Sequence, residues 1–359
     1  MNSAYYTVGN EIFFNKFQAK LRSSQTNRPL SFNLFDEVFS KVSWENPMDS
    51  WDTLLDRRAQ QIAAKGRPII LNFSGGSDSY TVYQVFKRNN IPLYAIHLRL
   101  KDNSTDNFQG TIDFLNTEKP NCKVFILKDS VGVLNSFYNT PEWIWNLSKL
   151  NFSISLSEAQ NLEDHPDVPT LPDNYIQVVG VEKPRLKIVG DEIYSYQPDT
   201  LYELVIGKSK FEYFFIHPDL PELHIKQCHM LAKHIQAEST LTNKPMEYFN
   251  DMHDPRKHSY TKYCLWSGRF GDLANSASQK IQSMNATLFI PNDNMSDAQF
   301  TGRTETMFGH GVSNNETFLK NYLDGLMYVR KDSSLQTLFG DAKDYYSIRA
   351  FDTKLYKLS

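Results

Sequence analysis

The chain has 359 residues, with 38 Lys and Arg against 41 Asp and Glu, a formal net charge of −3. That balance excludes a global electrostatic pull toward nucleic acid or an anionic membrane and leaves only local basic patches. Cys122, Cys228 and Cys264 are too scattered for a disulfide framework, and no stretch nears the ~20 apolar residues of a membrane span.

In chain order, Met1-Asn2-Ser3-Ala4-Tyr5-Tyr6 shows no basic region followed by an apolar one, so a cytoplasmic chain without a secretory signal is expected. Residues 1–66 read as a helical N-terminal extension: Phe35, Val38, Phe39 and Val42 recur at helical spacing, and Trp51, Leu54, Leu55 and Ile62 continue the pattern up to the break at Gly66-Arg67-Pro68. A short buried strand follows at Ile69-Ile70-Leu71-Asn72-Phe73, then a helix over about 78–89 and a turn at Asn89-Asn90-Ile91-Pro92. Leu93 to Leu98 reads as a second strand, a polar helical segment comes next, and Cys122 to Leu127 reads as a third strand. Alternation of strand and helix at these lengths predicts parallel βαβ units, an α/β doubly wound sheet.

Helices are expected through much of 129–165, with Trp143 and Trp145 as packing residues, and another strand at Tyr175 to Gly180. Leu186 to Tyr196 alternates around Gly190-Asp191, a β-hairpin pattern. Phe211 to Phe215 reads as a strand, and Leu220-Pro221-Glu222-Leu223 opens a helix to about Ile235. A closing hairpin is expected over Tyr346–Leu358, around Asp352-Thr353. The organisation is therefore an N-terminal extension over 1–66, an α/β domain over 67–200, and an α+β region over 201–359.

The most informative stretch is Ser74-Gly75-Gly76-Ser77-Asp78-Ser79, between the strand at 69–73 and the helix that follows. A strand passing through Gly-Gly into a helix start aims free backbone N–H groups and the positive end of the helix dipole at one spot, where an anion can sit. Gly75 and Gly76 tolerate positive φ and bring no Cβ. Ser74, Ser77 and Ser79 add hydroxyl donors, and Asp78 can cap the helix or help hold a metal ion. No Gly-Lys-Ser/Thr follows, so this is not a Walker A loop.

The hexapeptide resembles the pyrophosphate-binding PP-loop of the N-type ATP pyrophosphatases, within the adenine nucleotide alpha hydrolase-like superfamily. The resemblance covers about a third of the chain, residues 68–185. It implies that ATP, with Mg²⁺, is cleaved between its α and β phosphates to give an adenylated intermediate and pyrophosphate. Relatives commonly bind adenine through backbone groups at the end of the second strand, which points to His97 and Leu98, with His97 itself packing or supporting. They commonly place a charged, Gly-containing loop after the strand that ends at Gly180. On that implication Lys183 and Arg185 meet the β and γ phosphates, Gly180 opens the loop, and Glu182 joins Asp78 on the metal. The alternative for Glu182, Lys183 and Arg185 is a solvated charged turn before a hairpin.

Absences narrow the chemistry. Asn2 replaces the cysteine nucleophile that a glutamine-using asparagine synthetase would carry, so nitrogen would come as free ammonia, from a partner, or from an amine. The spread of the three cysteines argues against persulfide chemistry, and sulfonucleotide reductases would carry a C-terminal cysteine motif that is absent after Cys264. The reading is thus a ligase or amidotransferase-like enzyme acting on a carboxylate or carbonyl acceptor, a nucleobase or tRNA among the classes considered. Its rival is a non-catalytic nucleotide-binding regulatory or structural protein; a nucleic-acid binder lacks a basic stripe. Abundant Asn, Tyr and Phe fit a phage-encoded chain acting in host cytoplasm, and homo-oligomerisation stays open. His217, His224, Cys228, His229, His234 and Cys264 raise a zinc site, but no Cys-X-X-Cys pair supports it. Arg269, Arg303 and His310 stand in Gly-rich surroundings from which they could close over a substrate.

Overall fold

The structure, a computed structural model, describes residues 4–75, 77–100, 105–128, 162, 168, 170–180, 184–199, 210–237, 316–317, 320–321, 324, 331–336 and 351–359. It opens with β1 (Ala4–Val8), β2 (Glu11–Phe13), α1 (Lys16–Thr26) and β3 (Leu30–Leu34), the strands forming an antiparallel sheet in the order β2-β1-β3. The segment expected as a helical lead-in over 1–66 therefore mixes the strands β1, β2 and β3 with the helices α1, α2 (Asp36–Phe39) and α3 (Trp51–Ala64). Ala4, Tyr6 and Val8 are buried while Tyr5 and Thr7 are half-buried, the two-residue period of a strand with one covered face. The ends of the helices are chemically defined: the Asn15 side-chain carbonyl accepts from the N–H groups of Phe17 and Gln18, and Ser50 accepts from Thr53.

A five-stranded parallel sheet forms the centre, as expected for the α/β class. It comprises β4 (Ile69–Asn72), β5 (Ala95–Leu100), β6 (Lys123–Lys128), β7 (Ile176–Val179) and β10 (Phe211–Tyr213), in the order β10-β7-β4-β5-β6. The helix α4 (Ser77–Arg88) connects β4 to β5, and α5 (Thr105–Glu118) connects β5 to β6. The chain thus moves outward from β4 to β6, then returns to the other side of β4 as β7 and continues to β10. That reversal places the topological switch point between the carboxyl ends of β4 and β7.

Two more strands, β8 (Arg185–Val189) and β9 (Glu192–Tyr196), make the expected hairpin around Gly190-Asp191. The closing segment does not hairpin within the described residues 351–359. Its β11 (Tyr356–Lys357) pairs with β9, Tyr356 opposite Ser195 and Lys357 opposite Tyr194, and Asp352 bridges Pro198. Residues 346–350, the helices expected over most of 129–165 with Trp143 and Trp145, and Arg269, Arg303 and His310 lie outside the described residues. β10 and α6 (Pro221–Ala237) lie beyond residue 200, so the parallel sheet extends past the boundary expected there.

One face of the sheet (Ile69, Leu71, Phe73, Ile96, Leu98, Ile176, Val178) packs on α3, α4, Leu115 of α5 and Leu223 of α6. Its other face has two apolar patches. Ile70, Ala95, Leu127 and Tyr175 pack with Leu162 and Leu171, while Val179, Phe211 and Tyr213 join the cluster that holds the N-terminal sheet, α6 and Tyr356. A buried polar joint ties these distant segments: Lys16 Nζ lies 2.7 Å from Asp199 Oδ2, which also accepts from the Tyr6 hydroxyl at 2.9 Å, while Phe351 N–H donates to Asp199 Oδ1 at 3.1 Å. No helix among the described residues is long and apolar enough to cross a membrane.

Candidate anion-binding site at the sheet switch point

The apolar run of β4 is buried on both faces because the strand lies inside the sheet, Ile70 and Leu71 fully so. It delivers Ser74 to the rim, where the loop turns into α4. Gly75 adopts φ +70, a left-handed conformation that costs little only for glycine. A Cβ there would also lie 1.8 Å from Thr111 Oγ1 and 2.9 Å from Thr111 Cβ and Cγ2, so α5 presses directly on the loop. Ser79, buried in the first turn of α4, closes the loop: its hydroxyl accepts from Ser74 N–H at 3.2 Å and lies 3.3 Å from Ser74 Oγ. Ser74 is exposed and Asp78 half-buried, so both remain within reach of a ligand.

Gly180, directly after β7, lies on the same rim. A Cβ on Gly180 would sit 3.0 Å from Ser79 Cα, 3.1 Å from Ser79 N and 3.1 Å from Val82 Cγ2. Absence of a side chain there lets the two loops touch at the switch point, where open α/β sheets bind ligands. Arg185 is the first residue of β8. It is 6% exposed, pairs in register with Tyr196, and its charge acts on the Tyr196 phenol. Gly76, Glu182 and Lys183 lie outside the described residues, and of Ser77 only the helical backbone is described.

His97 and Leu98 lie inside the ladder rather than at its end, because β5 runs on to Leu100. Leu98 is fully buried beneath the helices, and the His97 carbonyl accepts from Phe73 N–H at 2.8 Å. The His97 ring has a supporting role. Asn72 Oδ1 accepts from Gln177 Nε2 at 2.7 Å and lies 3.3 Å from His97 Nδ1, which joins β7, β4 and β5 through one amide oxygen. Since that oxygen only accepts, the network assigns the proton to His97 Nδ1. Gln177 is fully buried, and its Oε1 has no hydrogen-bond partner among the described residues.

Asn72, Gln177 and Thr111 were missed by motif reading. The available signal for the first two was a single polar residue inside each apolar strand run; Thr111 carries no local signal at all.

The His and Cys residues of the second half do not assemble a metal centre among the described residues. His224 and Cys228 share a face of α6, with Sγ 3.7 Å from Nε2, but their other polar partners are Ser195 at 3.4 Å from each and Gln197 at 3.3 Å from the imidazole. Burial holds the His224 imidazole down at about 3 and pushes the Cys228 thiol up to about 12, so both are neutral packing groups. His229 Nε2 lies 2.8 Å from the Trp44 carbonyl. Cys264 and the His234 side chain lie outside the described residues.

No known family's sequence profile matches this chain, and no curated protein matches it. Among solved structures, the chain is similar to an NH3-dependent NAD synthetase from Campylobacter jejuni subsp. jejuni NCTC 11168 in complex with the nitrate ion. That match has 14% identity, covers 69% of this chain and 100% of that one, and has a TM-score of 0.29, too low to bear on either fold or function.

Proposed function

We propose that this protein binds ATP at 74–79 and cleaves it between the α and β phosphates, transferring AMP to an acceptor. The observation that carries the reading is the Ser-Gly-Gly-Ser-Asp-Ser turn at the switch point of a parallel sheet, with the Gly180 turn packed against the same helix start. Backbone N–H groups and the α4 dipole favour phosphate there, and Gly75 and Gly180, bringing no Cβ, let α5 and the residue after β7 close in around the start of α4.

In this reading a carboxylate or carbonyl oxygen of the acceptor attacks the α-phosphorus. The bond from that phosphorus to the bridging oxygen breaks, and pyrophosphate leaves with the electron pair. Ammonia or an amine then attacks the activated carbon, loses a proton, and displaces AMP. Lys183 and Arg185 are proposed to offset the charge that gathers on pyrophosphate. Asp78, with Glu182, fits Mg²⁺, which usually takes one or two carboxylates together with phosphate oxygens and would neutralise phosphate charge when bound. The adenine side of the site is proposed to lie at the carboxyl end of β5, beyond His97 and Leu98, which support it from inside the ladder, and the region beyond 200 to select the acceptor.

The test is release of AMP and pyrophosphate from α-labelled ATP with Mg²⁺, in the presence of pooled acceptors (amino acids, ammonia, nucleobases, tRNA, DNA). Asp78→Ala is expected to lower release by on the order of a hundredfold. Release of ADP and phosphate would refute cleavage between α and β. ATP binding with no release in any pool would favour a nucleotide-binding protein without this activity.

A further inference from the structure

The wall of the site opposite the Gly180 turn belongs to α5. Its seating is fixed by contacts with β4 and α4 along one helical stripe. Phe114 packs against Phe73, Tyr80 and Tyr83 with ring centroids 5.5 to 5.9 Å apart, and Glu118 accepts from the Tyr83 hydroxyl at 3.0 Å and pairs with Lys87. Residues 111, 114 and 118 follow the spacing that keeps side chains on one helix face. Thr111 therefore stands one turn before Phe114, held directly against Gly75. It is half-buried. A threonine needed only to fill that space would serve equally as valine.

We propose that the Thr111 hydroxyl donates to the anion held by the turn at 74–79, making α5 the second wall of a phosphate pocket closed on its other side by Gly180. The proposal rests on the reading that this turn holds phosphate. Ser79 Oγ accepts from Ser74 N–H inside the loop, whereas Thr111 brings a hydroxyl from outside the motif.

The experiment compares Thr111→Val and Thr111→Ser with the wild type, in the full chain, by calorimetric titration with inorganic pyrophosphate and with ATP in the presence of Mg²⁺. Valine keeps the branched shape against Gly75 and removes only the hydroxyl; thermal melts confirm that each variant folds. Thr111→Val is expected to bind both ligands roughly tenfold more weakly, the worth of one hydrogen bond to a charged group. Thr111→Ser is expected within about twofold of wild type. Equal binding by Thr111→Val and wild type would overturn the proposal, as would a Thr111→Ser defect as large as that of valine. Wild type that binds ATP without releasing AMP would overturn the cleavage reading alone, leaving the valine and serine comparison to decide this one. Wild type that binds neither pyrophosphate nor ATP would overturn both.

Discussion

Gly75 is where two requirements meet: its φ of +70 excludes ordinary side chains, and Thr111 occupies the space a Cβ would need. Turning χ1 of Thr111 does not clear that space, because Thr111 Cβ itself would lie 2.9 Å from the added atom. Gly75→Ala is therefore expected to lower stability by about 1–3 kcal/mol and to abolish the proposed ATP binding, as read by thermal melting and titration calorimetry. Wild-type affinity in Gly75→Ala would show that the loop can relax without consequence. The glycine itself was legible in sequence, since Gly-Gly between an apolar strand and a helix has few other uses. Its neighbour was not. Nothing local to Thr111 announces that α5 crosses the loop, just as nothing local to Gln177 announces that its amide bonds to Asn72, which is more than a hundred residues earlier.

The elements show which patterns survive translation into structure. Strands β4, β5, β6 and β7 and helices α3, α4 and α6 appear where apolar periodicity places them, because each buries a continuous face. The N-terminal strands were hidden because the helical spacing of Phe35, Val38 and Phe39 was extended backward over β1, whose own period is two. β11 was misassigned because its partner β9 is remote in sequence, and pairing between strands is not written in either one. Packing between α3 and the edge strand β10 gives a prediction at this scale. Arg58 is fully buried, with Nη2 2.9 Å from Glu212 Oε2, while Glu212 also holds Lys65 at 2.7 Å. Burial pulls the Arg58 guanidinium below its usual range, and the neighbouring Glu212 opposes that shift. Arg58→Leu leaves Glu212 one cation; Glu212→Leu strands a buried guanidinium. Glu212→Leu is expected to cost about 3–5 kcal/mol, more than Arg58→Leu, in urea unfolding. The reverse order would mean that the packing of the arginine stem outweighs its charge.

At the scale of the molecule, stability is expected to depend on pH through His224, which meets the rings of Phe39 and Trp44 edge-on where α6 meets the N-terminal segment and the β8–β9 hairpin. Burial depresses its folded value to about 3 from an ordinary 6.5. The folded imidazole stays neutral while the unfolded one takes up a proton, so the unfolded state binds more protons between those two values. Stability is therefore full above about pH 6.5 and falls as pH drops toward 3, by about 1.4 kcal/mol per unit for each such group. His217, lowered to about 2 chiefly by burial, adds a second proton with the same sign. Replacing His224 with Gln is expected to flatten the dependence of unfolding free energy on pH by about one proton across that window; an unchanged slope would remove His224 from the account.

The strand order also dictates a sequence of assembly. β4 and β5 meet across a short connection, whereas β4 pairs with β7 across more than a hundred residues, Ile70 opposite Gln177. Contacts that close long stretches of chain form late in folding, because the loop entropy must be offset first. The turn at 74–79 and the wall given by α5 thus arise in an early, local unit, and the Gly180 wall arrives only when the sheet is completed from its other side. Nucleotide captured at this seam would act as a kinetic latch, withheld from the growing half-sheet and engaged only on the finished chain.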